Sequence, residues 1–283
     1  MASIISRFAP SPNGYLHFGH AYSALLAWRA AQGDSDRFLL RIEDIDTWRA
    51  RPKFEQAIFD DLAWLGLHWE EPVRRQSEHM DDYAVALDRL KDRDLLYPCF
   101  CTRRDIQAEI DRSRSAPHGP EGFLYPGTCR NLSDAERGDR IADGEPHAMR
   151  LDTARAVEQV GALSWTDRKA GEIKADPESL GDVVLARKDT PTSYHLAVTV
   201  DDALQEVTLV TRGLDLFHAT HIHRLLQALL DLPTPEYRHH RLIRDESGER
   251  MAKRRRSETL GQMRDRGVSA DEVIARVDAI ISA

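Results

Sequence analysis

"RFAPSPNGYLHFGHAYSALLAWRAAQG", residues 7–33, carries a short apolar strand candidate at 3–8 through a loop rich in Pro and Gly into an apolar helix over 19–31. Gly33 suits the left-handed residue that closes such a helix. A loop that leaves a first parallel strand and enters a helix lies at the carboxyl edge of the sheet, where open α/β folds bind ligands. The helix N-terminus there offers N–H groups without intrahelical partners and a positive dipole end, both favourable to phosphate. Gly14 and Gly19 would let backbone approach a nucleotide. His17 and His20 would face phosphate oxygens and donate hydrogen bonds as charge develops on them. The stretch is neither a Walker loop nor a GxGxxG, so its spacing alone leaves an ordinary strand-to-helix turn equally open.

Outward from that loop, "RFLLRIEDID" (37–46) reads as a buried strand running into an acidic loop. Pro52 opens a helix with Phe54, Ile58, Leu62 and Leu65 at helical spacing, and Gly66 stops it. Strand, helix, strand, helix in this order predicts a parallel α/β sheet. A helix follows at about 77–95. Residues 99–180 hold the three Cys and much of the Gly and Pro, with weak periodicity, and read as an insertion. "YHLAVTVDD" (194–202) and "EVTLVTRG" (206–213) alternate like paired strands joined by a short acidic turn. An amphipathic helix is expected over 217–231, then two short helices, the last opening with a capping box from Ser269 to Glu272. The expected organisation is a catalytic domain in two halves, 1–98 and 181–237, split by the insertion 99–180 and followed at 238–283 by a basic loop and terminal helices.

Charge narrows the partners. The 283 residues carry a net charge of -8, so the average surface repels nucleic acid and any such binding needs a local patch. Residues 238–256 supply one, with eight Arg or Lys against three acids. "RMAKRRRS" (250–257) places Lys253 among adjacent cations, which are costly to hold together unless polyphosphate or nucleic acid meets them, although a solvated basic turn has the same composition. The N-terminus lacks the apolar region of a signal peptide, and no apolar run is long enough to span a membrane. A cytoplasmic protein is expected, and three Cys in a reducing compartment argue for metal or redox chemistry over disulfides.

"HFGH" resembles the HIGH signature of class I aminoacyl-tRNA synthetases, and "MAKRR" resembles their KMSKS loop. "RFAPSPNGYLHFGHA", "LRIEDID" and "YHLAVTVDDALQEVTLVTRGLDL" are similar to the glutamyl-tRNA synthetases over nearly the whole chain. Ala252 replaces the Ser of the lysine loop, and Arg250 with Met251 replaces the usual Lys-Leu. The resemblance implies a Rossmann-type catalytic domain that binds ATP with magnesium through His17, Gly19, His20 and Lys253. His17, His20 and Lys253 would be catalytic, the lysine stabilising pyrophosphate. It implies a glutamate pocket of Arg7, Ser11, Glu43, Tyr194 and Arg212. Physical chemistry agrees, since Arg clamps a carboxylate at two points and Glu43 can meet the substrate ammonium.

"CFC" (99–101) and Cys129 give three thiolates, one short of a tetrahedral zinc site. Spacing nominates His118 as the fourth ligand, whereas the resemblance implies Tyr125, from "YPGTC"; the expected set is Cys99, Cys101, Tyr125 and Cys129. Such a zinc would be structural, stapling an insertion poor in apolar residues. "HATHIH" (218–223) reads as partly buried helix, and His239 and His240 would point to opposite faces of a strand.

Within the synthetases the chain resembles a short paralogue that esterifies glutamate onto queuosine in the anticodon loop of tRNA(Asp). Only 27 residues follow Arg256, too few for the helical anticodon reader of an ordinary glutamyl-tRNA synthetase. The expected partners are ATP, L-glutamate and a queuosine-bearing anticodon stem-loop, with no membrane and a monomeric enzyme. Charging of tRNA(Glu) is the alternative. A nucleotidyl transferase acting on a small molecule would need no glutamate pocket, and a non-catalytic RNA-binding relative would be expected to lose His17, His20 or Lys253.

Overall fold

The computed structural model describes residues 3–112, 118–120, 122–243 and 258–282. Its main sheet has seven strands, in the spatial order Arg74–Arg75, Phe38–Ile42, Ser6–Phe8, Leu209–Gly213, Glu236–His240, Ser164–Asp167 and Gly171–Lys174. Every neighbouring pair is parallel except the last. Strand order runs outward in opposite directions from Ser6–Phe8 and Leu209–Gly213, so the crevice between their carboxyl ends is the switch point at which such sheets bind ligands.

Helices cover both faces. On one, Phe18–Ala30 and Pro52–Trp64 pack with Phe38, Leu40 and Ile42 of the sheet, and Val273 and Val277 of the terminal helix Ala270–Ser282 close that core. On the other, Met80–Asp92, Tyr194–Leu204 and Ala219–Leu229 bury Tyr83, Leu90, Leu196 and Leu225 together. The capping box at Ser269 and Glu272 forms as expected, with both reciprocal backbone bonds.

Two expectations need correction. Residues 194–202 are not a strand: they belong to the helix Tyr194–Leu204, capped by Ser193. The helix is buried on nearly every side from Leu196 to Asp202, so its apolar residues show no helical stripe, and β-branched Val and Thr imitate alternation. Asp201 and Asp202 are not a turn either. They are buried anchors for Arg41, Arg74 and Arg7. The stretch 99–180 also does not stand wholly apart, because the hairpin 164–174 extends the main sheet through Tyr237 and Asp167. Trp165 fixes it there, buried with Leu39, Val210 and Tyr237. The body beside the sheet is instead a small antiparallel sheet of Leu96–Cys99, Ala148–Leu151 and Val184–Ala186, with the cysteines at its edge.

Candidate active site

The helix Phe18–Ala30 begins on a capping box made of two histidines. Nδ1 of His17 accepts the Gly19 N–H at 3.1 Å, and Nδ1 of His20 accepts the His17 N–H at 3.1 Å. An imidazole that accepts at Nδ1 carries its proton at Nε2 when neutral, so the cap itself makes both rings Nε2–H donors. The rings lie 3.8 Å apart, centroid to centroid. Gly19 suits this arrangement, since a Cβ there would stand 3.0 Å from Cε1 of His17 and press on the capping ring.

A cavity of about 520 Å³ opens at the switch point. His17, Gly19 and His20 line it, and so do Arg7, Ser11, Glu43, Tyr194 and Arg212. Every expected glutamate- and ATP-contact residue except Lys253 thus borders one space. Lys253 lies outside the described residues, with the rest of 244–257. The residues flanking that segment sit at the cavity: Ile243 lines it, and Thr259 forms an isolated bridge to His17.

The buried arginines are held differently. Arg7 forms an ion pair with Asp202, Nε to Oδ1 at 3.0 Å. Arg41 meets Asp202 at 2.8 Å and Glu43 at 3.4 Å. Burial raises the carboxyl of Glu43 above its ordinary range despite Arg41 and Arg7, a cost that a substrate ammonium would offset. Arg212 has no ion pair with a carboxylate among the described residues. Its guanidinium contacts Tyr194, Thr220, His223 and His239.

Those last three were not singled out as site residues. His223 lies in the "HATHIH" helix, and His239 does point to the opposite side from His240, which meets Ser23 at 2.9 Å. The strand reading of "HH" contained that split of faces, but nothing local tied either imidazole to Arg212.

At the edge of the smaller sheet the sulfurs of Cys99, Cys101 and Cys129 all lie within 4.8 Å of one another. The Tyr125 hydroxyl stands 3.4 Å from the Cys99 sulfur and 3.7 Å from that of Cys101. Tetrahedral zinc with sulfur at about 2.3 Å needs sulfur separations of about 3.8 Å and oxygen–sulfur separations of about 3.5 Å, so the donor set fits. Burial and the Cys129 contact push the Cys101 thiol up to about 12. Against its own burial, Cys129 is held below the usual thiol range by hydrogen bonds from Tyr125 and the backbone. The guanidinium of Arg150 lies 3.9 Å from the centre of the Tyr125 ring, while burial and hydrogen bonds with the three cysteines hold the Tyr125 phenol above its ordinary range. The side chain of His118 is outside what the structure describes.

A parallel sheet with a histidine-capped helix at its switch point, and a cavity bordered by arginine and glutamate, is the architecture of a class I aminoacyl-tRNA synthetase catalytic domain. Residues 3–277 match the family model "tRNA synthetases class I (E and Q), catalytic domain". The chain is 48% identical over 275 residues to the glutamyl-Q tRNA(Asp) synthetase of Rhodobacter capsulatus, covering 95% of this chain and 98% of that protein. It is 44% identical to the enzyme of the same name from Nocardia farcinica, covering 95% of this chain and 82% of the relative. A crystal structure of the glutamate tRNA ligase from Elizabethkingia meningosepticum, in complex with its amino acid, superposes with a TM-score of 0.73 at 27% identity, over 89% of this chain and 52% of the ligase. The chain belongs to the glutamyl-Q tRNA(Asp) synthetase family, within the class I synthetases, and is a ligase. No described helix is long and apolar enough to cross a membrane.

Proposed function

We propose that this enzyme activates glutamate with ATP and esterifies it onto the queuosine at the anticodon wobble position of tRNA(Asp). The observation that carries the reading is Arg212: a buried guanidinium bordering the cavity with no acid paired to it among the described residues, while Glu43 borders the same space. A zwitterion with an additional carboxylate suits that pair of charges.

In the first step an oxygen of the glutamate α-carboxylate forms a bond to the α-phosphorus of ATP, and the bond from that phosphorus to the bridging oxygen breaks, releasing pyrophosphate. No covalent bond to the protein is needed, so catalysis is positioning and charge stabilisation. Arg212 and Tyr194 hold the side-chain carboxylate, Glu43 faces the ammonium, and Arg7 and Ser11 border the substrate. The Nε2–H groups of His17 and His20 donate to the phosphate as charge develops. Lys253 neutralises pyrophosphate, and magnesium accompanying ATP would supply further charge neutralisation when bound. In the second step a hydroxyl of the queuosine cyclopentenediol attacks the adenylate carbonyl and AMP departs.

Zinc held by Cys99, Cys101, Cys129 and Tyr125 would be structural, fixing the body that interrupts the catalytic domain. The sulfur and oxygen separations support that set. The reading includes a monomer acting in the cytoplasm, with the catalytic halves and insertion bounded as the sequence suggests, apart from the hairpin 164–174. It is tested by glutamate-dependent exchange of pyrophosphate into ATP without any tRNA. Exchange with glutamate is expected; exchange driven by another amino acid and not by glutamate would overturn it.

A further inference from the structure

Arg7, Arg41 and Arg212 are the buried arginines among the described residues. The first two are matched by Asp201, Asp202 and Glu43, whereas every hydrogen-bond partner of Arg212 among the described residues is uncharged in the form that accepts its hydrogens. Nε donates to Nε2 of His239 at 3.2 Å, Nη1 to Nδ1 of His223 at 3.1 Å and to the Tyr194 hydroxyl at 3.4 Å, and Nη2 to the Thr220 hydroxyl at 2.6 Å.

The accepting state of each imidazole is set from behind. Nδ1 of His239 lies 2.8 Å from Oδ2 of Asp167. Asp167 is itself fixed by the N–H groups of His239, Lys169 and Ala170. The His239 proton therefore sits at Nδ1, and the lone pair of Nε2 faces Arg212. Because His223 accepts at Nδ1, its proton sits at Nε2, which lies 3.2 Å from Nδ1 of His195. Burial, with the Arg212 charge beside them, lowers all three imidazoles, His195 and His239 to about 4, so they stay neutral at physiological pH.

We propose that His223 and His239, the latter aligned by Asp167, are positioning residues that set specificity for a carboxylate: they hold Arg212 by lone pairs without cancelling its charge. A buried charge left unmatched is costly, and a substrate carboxylate matches it where the carboxamide of glutamine cannot. This inference rests on the reading of Arg212 as the partner of the glutamate side chain.

The test compares His223→Asn with His223→Asp in pyrophosphate exchange by the full-length protein. The two replacements have nearly the same shape, but only the second places an acid against Arg212. His223→Asp should raise KM for glutamate about 100-fold, leave KM for ATP within about twofold, and raise the use of glutamine relative to glutamate. His223→Asn should raise KM for glutamate less than about tenfold and leave that ratio as in the wild type. Thr220→Asn and Thr220→Asp repeat the comparison at the other end of the guanidinium, and melting curves show which variants fold. Equal effects of Asn and Asp at both positions, with the glutamine ratio unmoved, would overturn the inference, because shape would then be all that these residues supply. A wild-type enzyme without glutamate-dependent exchange would instead overturn the reading of the site on which the inference rests.

Discussion

The cavity around Arg212 and the cluster around Cys129 both gather polar side chains from distant parts of the chain, yet their order comes from different sources. The cavity rests on the ends of parallel strands, with two large apolar cores beneath them. Among the described residues, the cysteines have only Tyr97 and Phe100 as buried apolar company, with Leu132 and Tyr125 packed alongside. Around the cavity, removing a polar side chain should alter chemistry and leave the scaffold standing. At the cluster, the donors themselves must supply the order, and the ion that joins them would be the main source of it.

Arg212→Ala gives the largest expected change. Glutamate-dependent exchange should fall about 1000-fold, the scale of breaking a buried charge pair, while the melting temperature stays near that of the wild type. A variant that melts far below the wild type would show that the cavity is no more self-supporting than the cluster. The converse is Cys101→Ser: elemental analysis should fall from about one zinc per chain to a small fraction, and proteolysis near the smaller sheet should accelerate. Exchange with glutamate, made in the cavity, should stay within about threefold. Wild-type protein holding well under one zinc per chain would break the comparison outright. Replacing Tyr125 and His118 separately by Ala sharpens it further, with the greater zinc loss expected at Tyr125.

Asp61, which lies outside both regions, gives the smallest effect. It lies buried on the helix Pro52–Trp64, 3.6 Å from Arg264, and burial raises its carboxyl to about 6 against an ordinary 3.8. A folded-state value above the unfolded one stabilises the fold fully below pH 4, and that contribution is lost as pH rises through about 6. Asp61→Asn should therefore gain about 3 kcal/mol over the wild type at pH 8 and little at pH 4, measured by denaturant unfolding with zinc present. A gain at pH 4 as large as that at pH 8 would show that titration is not the cause.

Sequence patterns reached the parallel sheet and the cavity because strands, caps and the two histidines each leave a local mark. Pro52 opens its helix where expected, whereas the left-handed residue directly after the cap of Phe18–Ala30 is Gln32, with Gly33 left-handed beyond it. Residues 194–202 misled because a helix buried on all sides has no polar face to betray its period. The hairpin 164–174 reads as part of the insertion because Trp165, which helps anchor it, gains meaning only against Tyr237 and Val210. The cradle of Arg212 was out of reach for a similar reason. Asp167, His223 and His239 are far apart in the chain, and each alone reads as an ordinary buried polar residue.

Transfer of labelled glutamate by the purified protein tests the central claim most directly, with tRNA(Asp) containing queuosine, the same tRNA without it, and tRNA(Glu) offered separately. The account predicts label on the queuosine-containing tRNA(Asp) alone, and on its isolated anticodon stem-loop. Label at the 3′ end of tRNA(Glu), or none on the queuosine stem-loop from an enzyme that activates glutamate, would contradict it.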